Sequence, residues 1–342
     1  MSRRSALYDR HADLGARFVD FGGWDMPVQY QSVLSEHRAV RQSVGVFDVS
    51  HLGRLSVAGN GATEALRGLF SNDVAQYEPG RTHYTMLLTD AGGIVDDIVV
   101  WRWADDEYWV MPNAANSDRV HEAIGERGVT VEDLRAGTVM LAVQGPDAPA
   151  LLESVVGEAP RRFRNLVTDR ARMAGTGYTG ERGGEVCVPV DEADELFDDL
   201  LAAGATPCGL GSSDTLRLEA GLALWGSDID EYTTPLEAGL EFAVSWEHDF
   251  PGRDALEIQR RHGVSRRLAG LVMEERGIPR PGHQVRTDDS VGTVTSGNIS
   301  PVLDTGIALA YLSPPAMVDE AAEVEIRGKW LAARVADPPF HR

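Results

Sequence analysis

Apolar residues recur along the chain at two spacings. Over residues 33–44, Val33, Leu34, Val40 and Val44 alternate with Glu36, His37, Arg38 and Arg41, the repeat of an amphipathic helix. Over 191–203, Leu196, Phe197, Leu200 and Leu201 form a second helical stripe. Its early turns are acidic, and Gly204 stands where a helix closes. Between the two, segments 82–89, 94–102 and 107–111 read as strands. Turn-rich Asp90-Ala-Gly-Gly93 and Ala104-Asp-Asp106 join them, which predicts an antiparallel meander. From Arg266 onward, short apolar runs are broken by Gly277-Ile-Pro279, Pro281-Gly282 and Ser296-Gly-Asn298, the pattern of a separate small β domain. Short strands and helices mix without strict βαβ alternation, so the expected fold class is α+β, not a doubly wound sheet.

Composition narrows the chemistry. A net charge of −21 over 342 residues leaves no global basic footprint for nucleic acid or anionic lipid. Local basic pockets for a small anion remain open. Lys329 is the single lysine among 32 basic residues and sits beside Trp330, a poor place for a Schiff base. Pyridoxal phosphate is therefore not expected. Cys187 and Cys208 lack neighbouring ligand clusters, and the nine histidines show no HExxH spacing. No metal is expected, and the cysteines read as packing residues in a reducing compartment. Arg3-Arg4 is followed by Asp9, Arg10, His11 and Asp13, not by an apolar export segment, and 18 consecutive apolar residues occur nowhere. The expected location is the cytoplasm, without membrane association.

Two motifs carry candidate chemistry. Gly175-Thr-Gly-Tyr-Thr-Gly180 satisfies G-x-G-x-x-G, but Glu181-Arg-Gly-Gly-Glu-Val-Cys-Val-Pro189 after it reads as a turn and a strand. A dinucleotide site needs a helix there, so that reading is set aside. The second motif is Asp96-Asp97 inside the apolar strand Ile94-Val-Asp-Asp-Ile-Val-Val-Trp101. Alternation puts Asp97 with Val99 and Trp101, and Asp96 with Ile98 and Val100. Whichever carboxyl faces inward is desolvated and suited to handling a proton or hydrogen-bonding a heterocycle. A structural alternative is that the pair ends the preceding turn or caps backbone donors.

An ordered set of segments resembles the T-protein of the glycine cleavage system, the tetrahydrofolate-dependent aminomethyltransferase family. They include Val19-Asp-Phe-Gly-Gly-Trp-Asp-Met-Pro27, Val44-Gly-Val-Phe-Asp-Val-Ser-His51, Gly92-Gly-Ile-Val-Asp-Asp97, Asn113-Ala-Ala-Asn116 and Gln144-Gly-Pro146. Further on come Gly177-Tyr-Thr-Gly-Glu181, Leu216-Arg-Leu-Glu-Ala-Gly221 and Thr295-Ser-Gly-Asn-Ile-Ser-Pro301.

The resemblance implies a three-domain, cloverleaf-like α+β transferase that binds folate. Residues 1–50 plus 138–250 would form the first domain, 51–137 the second, carrying Asp96-Asp97, and 266–342 a C-terminal β-barrel. It implies tetrahydrofolate as co-substrate and a lipoylated H-protein as partner. Asp97 would assist the one-carbon transfer. Folate contacts carry over to Tyr84, Asp97, Val99, Trp101, Asn113 and Tyr178, with Trp101 able to stack on a flat heterocycle. Glu185 would be an acidic pterin or substrate contact.

Three departures bear on the second substrate. Ser213 stands where the family commonly has an arginine, removing a fixed charge; its structural alternative is a helix N-cap. Ala174-Gly175 replaces a common Ser-Arg pair, and the chain stops at Pro339-Phe-His-Arg342 where relatives often continue. Two other functions on this scaffold stay open. One is a tetrahydrofolate-dependent demethylase of a small methylated amine, ether or sulfonium compound. The other is a non-enzymatic, folate-binding iron–sulfur assembly factor, although His248-Asp-Phe-Pro-Gly-Arg-Asp-Ala255 lacks the cysteine of that group's motif.

Overall fold

Local signals in the sequence become elements close to where periodicity places them. In the computed structural model, which describes residues 2–341, the first helix runs Val33–Gln42. Ser32 is extended, and its Oγ accepts from the Ser35 amide at 3.1 Å, a side-chain cap. The second helix, Ala193–Ala202, follows one 3₁₀ turn, Val190–Glu192, and Gly204 leaves it at φ +104°. The three expected strands are Arg81–Leu88, Ile94–Ala104 and Glu107–Met111, neighbours in that order, with the last two antiparallel. Leu55–Ala58 and Val131–Asp133 complete this five-stranded sheet.

The chain forms two compact units, Met1–Leu87 with Asp96–Ser213, and Leu88–Val95 with Asp214–Arg342. Within the first, a six-stranded sheet has the order Asn165–Val167, Arg172–Ala174, Gly183–Pro189, Thr138–Gln144, Gly45–Asp48 and Thr206–Pro207. On one face, Val139, Leu141, Val143, Val186 and Val188 pack with Leu151, Leu152, Leu196, Phe197 and Leu200. The last five come from helices Ala148–Val156 and Ala193–Ala202, whose apolar stripes find their cover here. Truncating one of these leucines to alanine costs about 2–5 kcal/mol. On the opposite face, Met140, Ala174 and Cys187 meet Trp101, Trp109 and Met111 of the five-stranded sheet. The catalytic candidates lie along this second layer.

The second unit contains a closed barrel in the order Arg267–Met273, Thr305–Ser313, Val291–Ser300, Gln284–Arg286, Ala321–Ile326 and Lys329–Ala336. It encloses Leu271, Val285, Val294, Ala308, Ala310, Leu312, Val324 and Val335. Closure leaves no sheet edge; the turn-punctuated tail predicts a small β domain here, and the family resemblance implies the barrel. The same unit explains Gly93. A Cβ there would stand 1.8 Å from the Glu231 carbonyl oxygen, so any side chain would force this backbone contact apart.

Candidate functional site

The Asp-Asp strand obeys its alternation. Asp96, Ile98 and Val100 are fully buried, whereas Asp97 and Val99, on the other face, are half-buried. Both Asp97 oxygens are engaged. Oδ2 accepts from the Tyr84 hydroxyl at 3.1 Å and Oδ1 from Asn113 Nδ2 at 2.8 Å. Burial raises the Asp97 carboxyl above its ordinary range, opposed by these two hydrogen bonds. Burial also holds the Tyr84 hydroxyl well above its ordinary value, and the Asp97 charge adds to it. Tyr84 is therefore a donor at neutral pH. Together they place a carboxylate of raised proton affinity behind two fixed donors, the requirement for directed proton handling.

Alternation alone separates the two aspartates, yet one amide reconnects them. Asn113 Nδ2 also donates to Asp96 Oδ1 at 2.8 Å. Asp96 further accepts from the Asn113 backbone amide at 3.0 Å and from Asn116 Nδ2 at 2.8 Å. Asp96 thus does bind backbone and side-chain donors, as its structural alternative supposed.

Tyr178 lies close enough to act electrostatically on the Tyr84 hydroxyl. It belongs to the glycine-rich run 175–180, which connects strands Arg172–Ala174 and Gly183–Pro189 and opens no helix. That run is clamped by buried Gln144, whose Nε2 donates to the Thr176 carbonyl at 3.1 Å. Its Oε1 accepts from Thr179 Oγ1 at 2.8 Å. A Cβ on Gly177 would stand 2.0 Å from Gln144 Oε1, so glycine is what lets the clamp close. The same run reaches Glu185, which accepts from Thr176 Oγ1. Burial raises the Glu185 carboxyl, opposed by that hydrogen bond and by the charge of Arg54. Arg54 is completely buried and donates to Thr138 Oγ1 and Thr138 O.

Asp97, Tyr84 and Asn113 are therefore hydrogen-bonded together; Tyr178 acts on Tyr84, and the run that carries it also holds Glu185 through Thr176. Val99 shares the Asp97 face. Trp101 behaves differently from the expectation that it stacks on a ligand. It has no exposed surface, and its ring stacks on Trp109 at 5.9 Å between centroids, with Trp103 edge-on to both. Ser213 is not a helix cap. It is the fourth residue of helix Leu210–Ala220, and the cap role falls to Glu36, whose Oε2 accepts from the Gly209 amide at 2.9 Å. Asn116, Gln144 and Arg54 were not picked out by sequence reasoning as site residues. The first two do sit inside quoted motifs, Asn113-Ala-Ala-Asn116 and Gln144-Gly-Pro146.

Among the described residues, no group of three or more His, Cys, Asp or Glu is placed to hold a metal ion. No helix among them is long and apolar enough to cross a membrane. The sequence model of the GCVT N-terminal domain matches residues 7–248, and that of the glycine cleavage T-protein C-terminal barrel domain matches 266–341. An aminomethyltransferase of Thermosynechococcus vestitus is 44% identical over 354 residues, covering 99% of this chain and 96% of its own length. One from Pseudomonas syringae pv. tomato is 42% identical, covering 100% and 98%. The crystal structure of glycine cleavage system aminomethyltransferase T from Bartonella henselae has a TM-score of 0.94 at 32% identity, covering 99% of this chain and 98% of that one.

Fold and site together define a mixed α/β transferase with an appended β-barrel. The chain belongs to the glycine cleavage T-protein family, whose relatives above are aminomethyltransferases.

Proposed function

We propose that this enzyme transfers the methylene carbon of an aminomethyl group to tetrahydrofolate. The donor is the dihydrolipoyl arm of an H-protein. The carbon's bonds to sulfur and to the amine break, its bonds to two folate nitrogens form, and ammonia, a free thiol and methylenetetrahydrofolate result. In this reading Asp97 holds and moves the proton, while Tyr84 and Asn113 fix its oxygens. Glu185 and Tyr178 border the pterin, and Ser213 borders the donor. Residues 1–50 plus 138–250 then act as the first, folate-binding domain and 51–137 as the second, carrying Asp96-Asp97, with 266–342 as the barrel.

The observation that carries the reading is the half-buried carboxylate Asp97 held by Tyr84 and Asn113 on the face it shares with Val99. A pterin presents a nitrogen-rich edge of N–H donors, and Asp97 and Glu185 are acceptors suited to it. Orienting two reactants can supply several kcal/mol of barrier lowering without further chemistry from the protein. Two free, buried thiols, Cys187 and Cys208, fit a reducing cytoplasm.

Product analysis tests the reading. With aminomethyl-loaded H-protein and tetrahydrofolate, ammonia and methylenetetrahydrofolate should appear in equal amounts. Methyltetrahydrofolate formed from a small methylated donor would overturn it in favour of a demethylase.

A further inference from the structure

We propose that Asp96 and Asn116 are positioning residues that lock the Asn113 amide and, through it, set the proton affinity of Asp97. The proposal rests on the reading of Asp97 given above. Asn113 Nδ2 lies 2.8 Å from Asp96 Oδ1, 2.8 Å from Asp97 Oδ1 and 3.2 Å from the Asp97 carbonyl oxygen. Both N–H groups of that amide are therefore used inside the cluster. Its carbonyl is forced the other way, so the amide cannot flip without setting an oxygen against two carboxylates.

The other end of the chain of bonds is Asn116. It is the N-cap residue of helix Ser117–Gly125, where an asparagine side chain ordinarily accepts from a backbone amide of the first turn. Here it makes no such bond and donates to Asp96 Oδ1 at 2.8 Å instead. A residue type suited to capping has thus been turned to holding a buried carboxylate. With the Asn113 backbone amide at 3.0 Å, Asp96 has three donors and is supplied as an anion would be. The titratable groups around it are Asp97 on its own strand, Tyr84 from the adjacent strand and Tyr178 beyond Tyr84. Burial and the Asp97 charge hold Asp96 well above the usual carboxylate range. The Asp97 charge thus opposes ionisation of Asp96, and two sites sharing one amide titrate as a pair.

Asn116→Ala is the first test, because it removes a donor to Asp96 and no helix cap. Asp96→Asn, which removes the charge itself, is the second. Each should lower kcat about tenfold, the effect of one hydrogen bond to a charged group. The tetrahydrofolate KM should stay within about threefold, since neither residue is assigned a contact with it. The acid limb of the kcat profile should move to higher pH in both, because a loosened Asn113 amide holds the Asp97 carboxylate less firmly, and that hydrogen bond lowers the proton affinity of Asp97. The double variant should move it no further than Asp96→Asn, as expected of one shared network. A wild-type kcat with an unmoved limb in both variants overturns the proposal. So does a loss of folded protein with a wild-type limb, the signature of a purely structural role.

A measurement on the unmodified chain keeps the two readings apart. With carboxyl-¹³C aspartate, Asp96 and Asp97 should titrate in two coupled steps; independent single steps overturn the positioning claim. Absence of methylenetetrahydrofolate from the wild-type enzyme would instead overturn the reading of function, and leave this titration still decisive for the pair.

Discussion

Replacing Asp97 by asparagine separates charge from shape at the centre of the site. The amide oxygen can keep the 2.8 Å contact with Asn113, and the new NH₂ can donate to the Tyr84 hydroxyl, which turns acceptor. Contacts survive, but the proton-accepting group is gone. A positioned acid–base group contributes roughly 10²–10⁴-fold to rate, or about 2.7–5.5 kcal/mol at about 1.36 kcal/mol per tenfold. That is the expected loss in ammonia release at saturating H-protein. Tetrahydrofolate affinity should change far less. Stability should move the opposite way. Burial raises the folded-state pKa of Asp97 above its unfolded value. Its favourable contribution is thus complete below the unfolded pKa of about 3.9 and is lost as pH rises through the folded one. An asparagine side chain does not titrate, so the variant should melt at or above the wild-type temperature at pH 8 and show no such gain near pH 4. A variant with wild-type turnover would refute the role. One that melts far below wild type at pH 8 would refute the account of burial.

The remaining predictions use the same arithmetic. Gly177→Ala places a methyl 2.0 Å from Gln144 Oε1, an overpacking worth about 1–3 kcal/mol, and should raise the tetrahydrofolate KM by opening the Tyr178 loop. Unchanged kinetics with an unchanged melt would contradict the clamp. Ser213→Arg should leave aminomethyl transfer within a few-fold or improve it; abolished transfer would show that serine shapes a smaller donor pocket. Asp48 is held down to about 2 mainly by the hydrogen bond and charge of His11, against burial. Its stabilisation is present above the unfolded carboxylate range and is lost as pH falls toward 2, so Asp48→Asn should flatten the acid side of a melting-temperature profile. An acid limb indistinguishable from wild type would sink that assignment.

Much of the site was legible because a strand has a period of two. Once 94–102 is read as a strand, Asp97, Val99 and Trp101 must share a face, and they do. What the period cannot give is the partner across the sheet. Trp101 pairs in register with Trp109, which is why its ring is enclosed. The alternative reading of Ser213 as a helix cap fails for a similar reason. Its local pattern resembles a cap, but Glu36, far away in sequence, supplies the acceptor at that helix start. The reconnection of Asp96 to Asp97 through Asn113 likewise depends on a loop returning over the strand, which no local spacing records. The barrel was readable as a small β domain from its turn residues, whereas its strand order depends on non-local pairing.

The most direct test is a single turnover with H-protein carrying a ¹³C-labelled aminomethyl group, followed with and without tetrahydrofolate. The account predicts that label moves to methylenetetrahydrofolate, with one ammonia released per transfer, only when folate is present and only slowly in Asp97→Asn. Label retained on the H-protein in the presence of wild-type enzyme and tetrahydrofolate would contradict it.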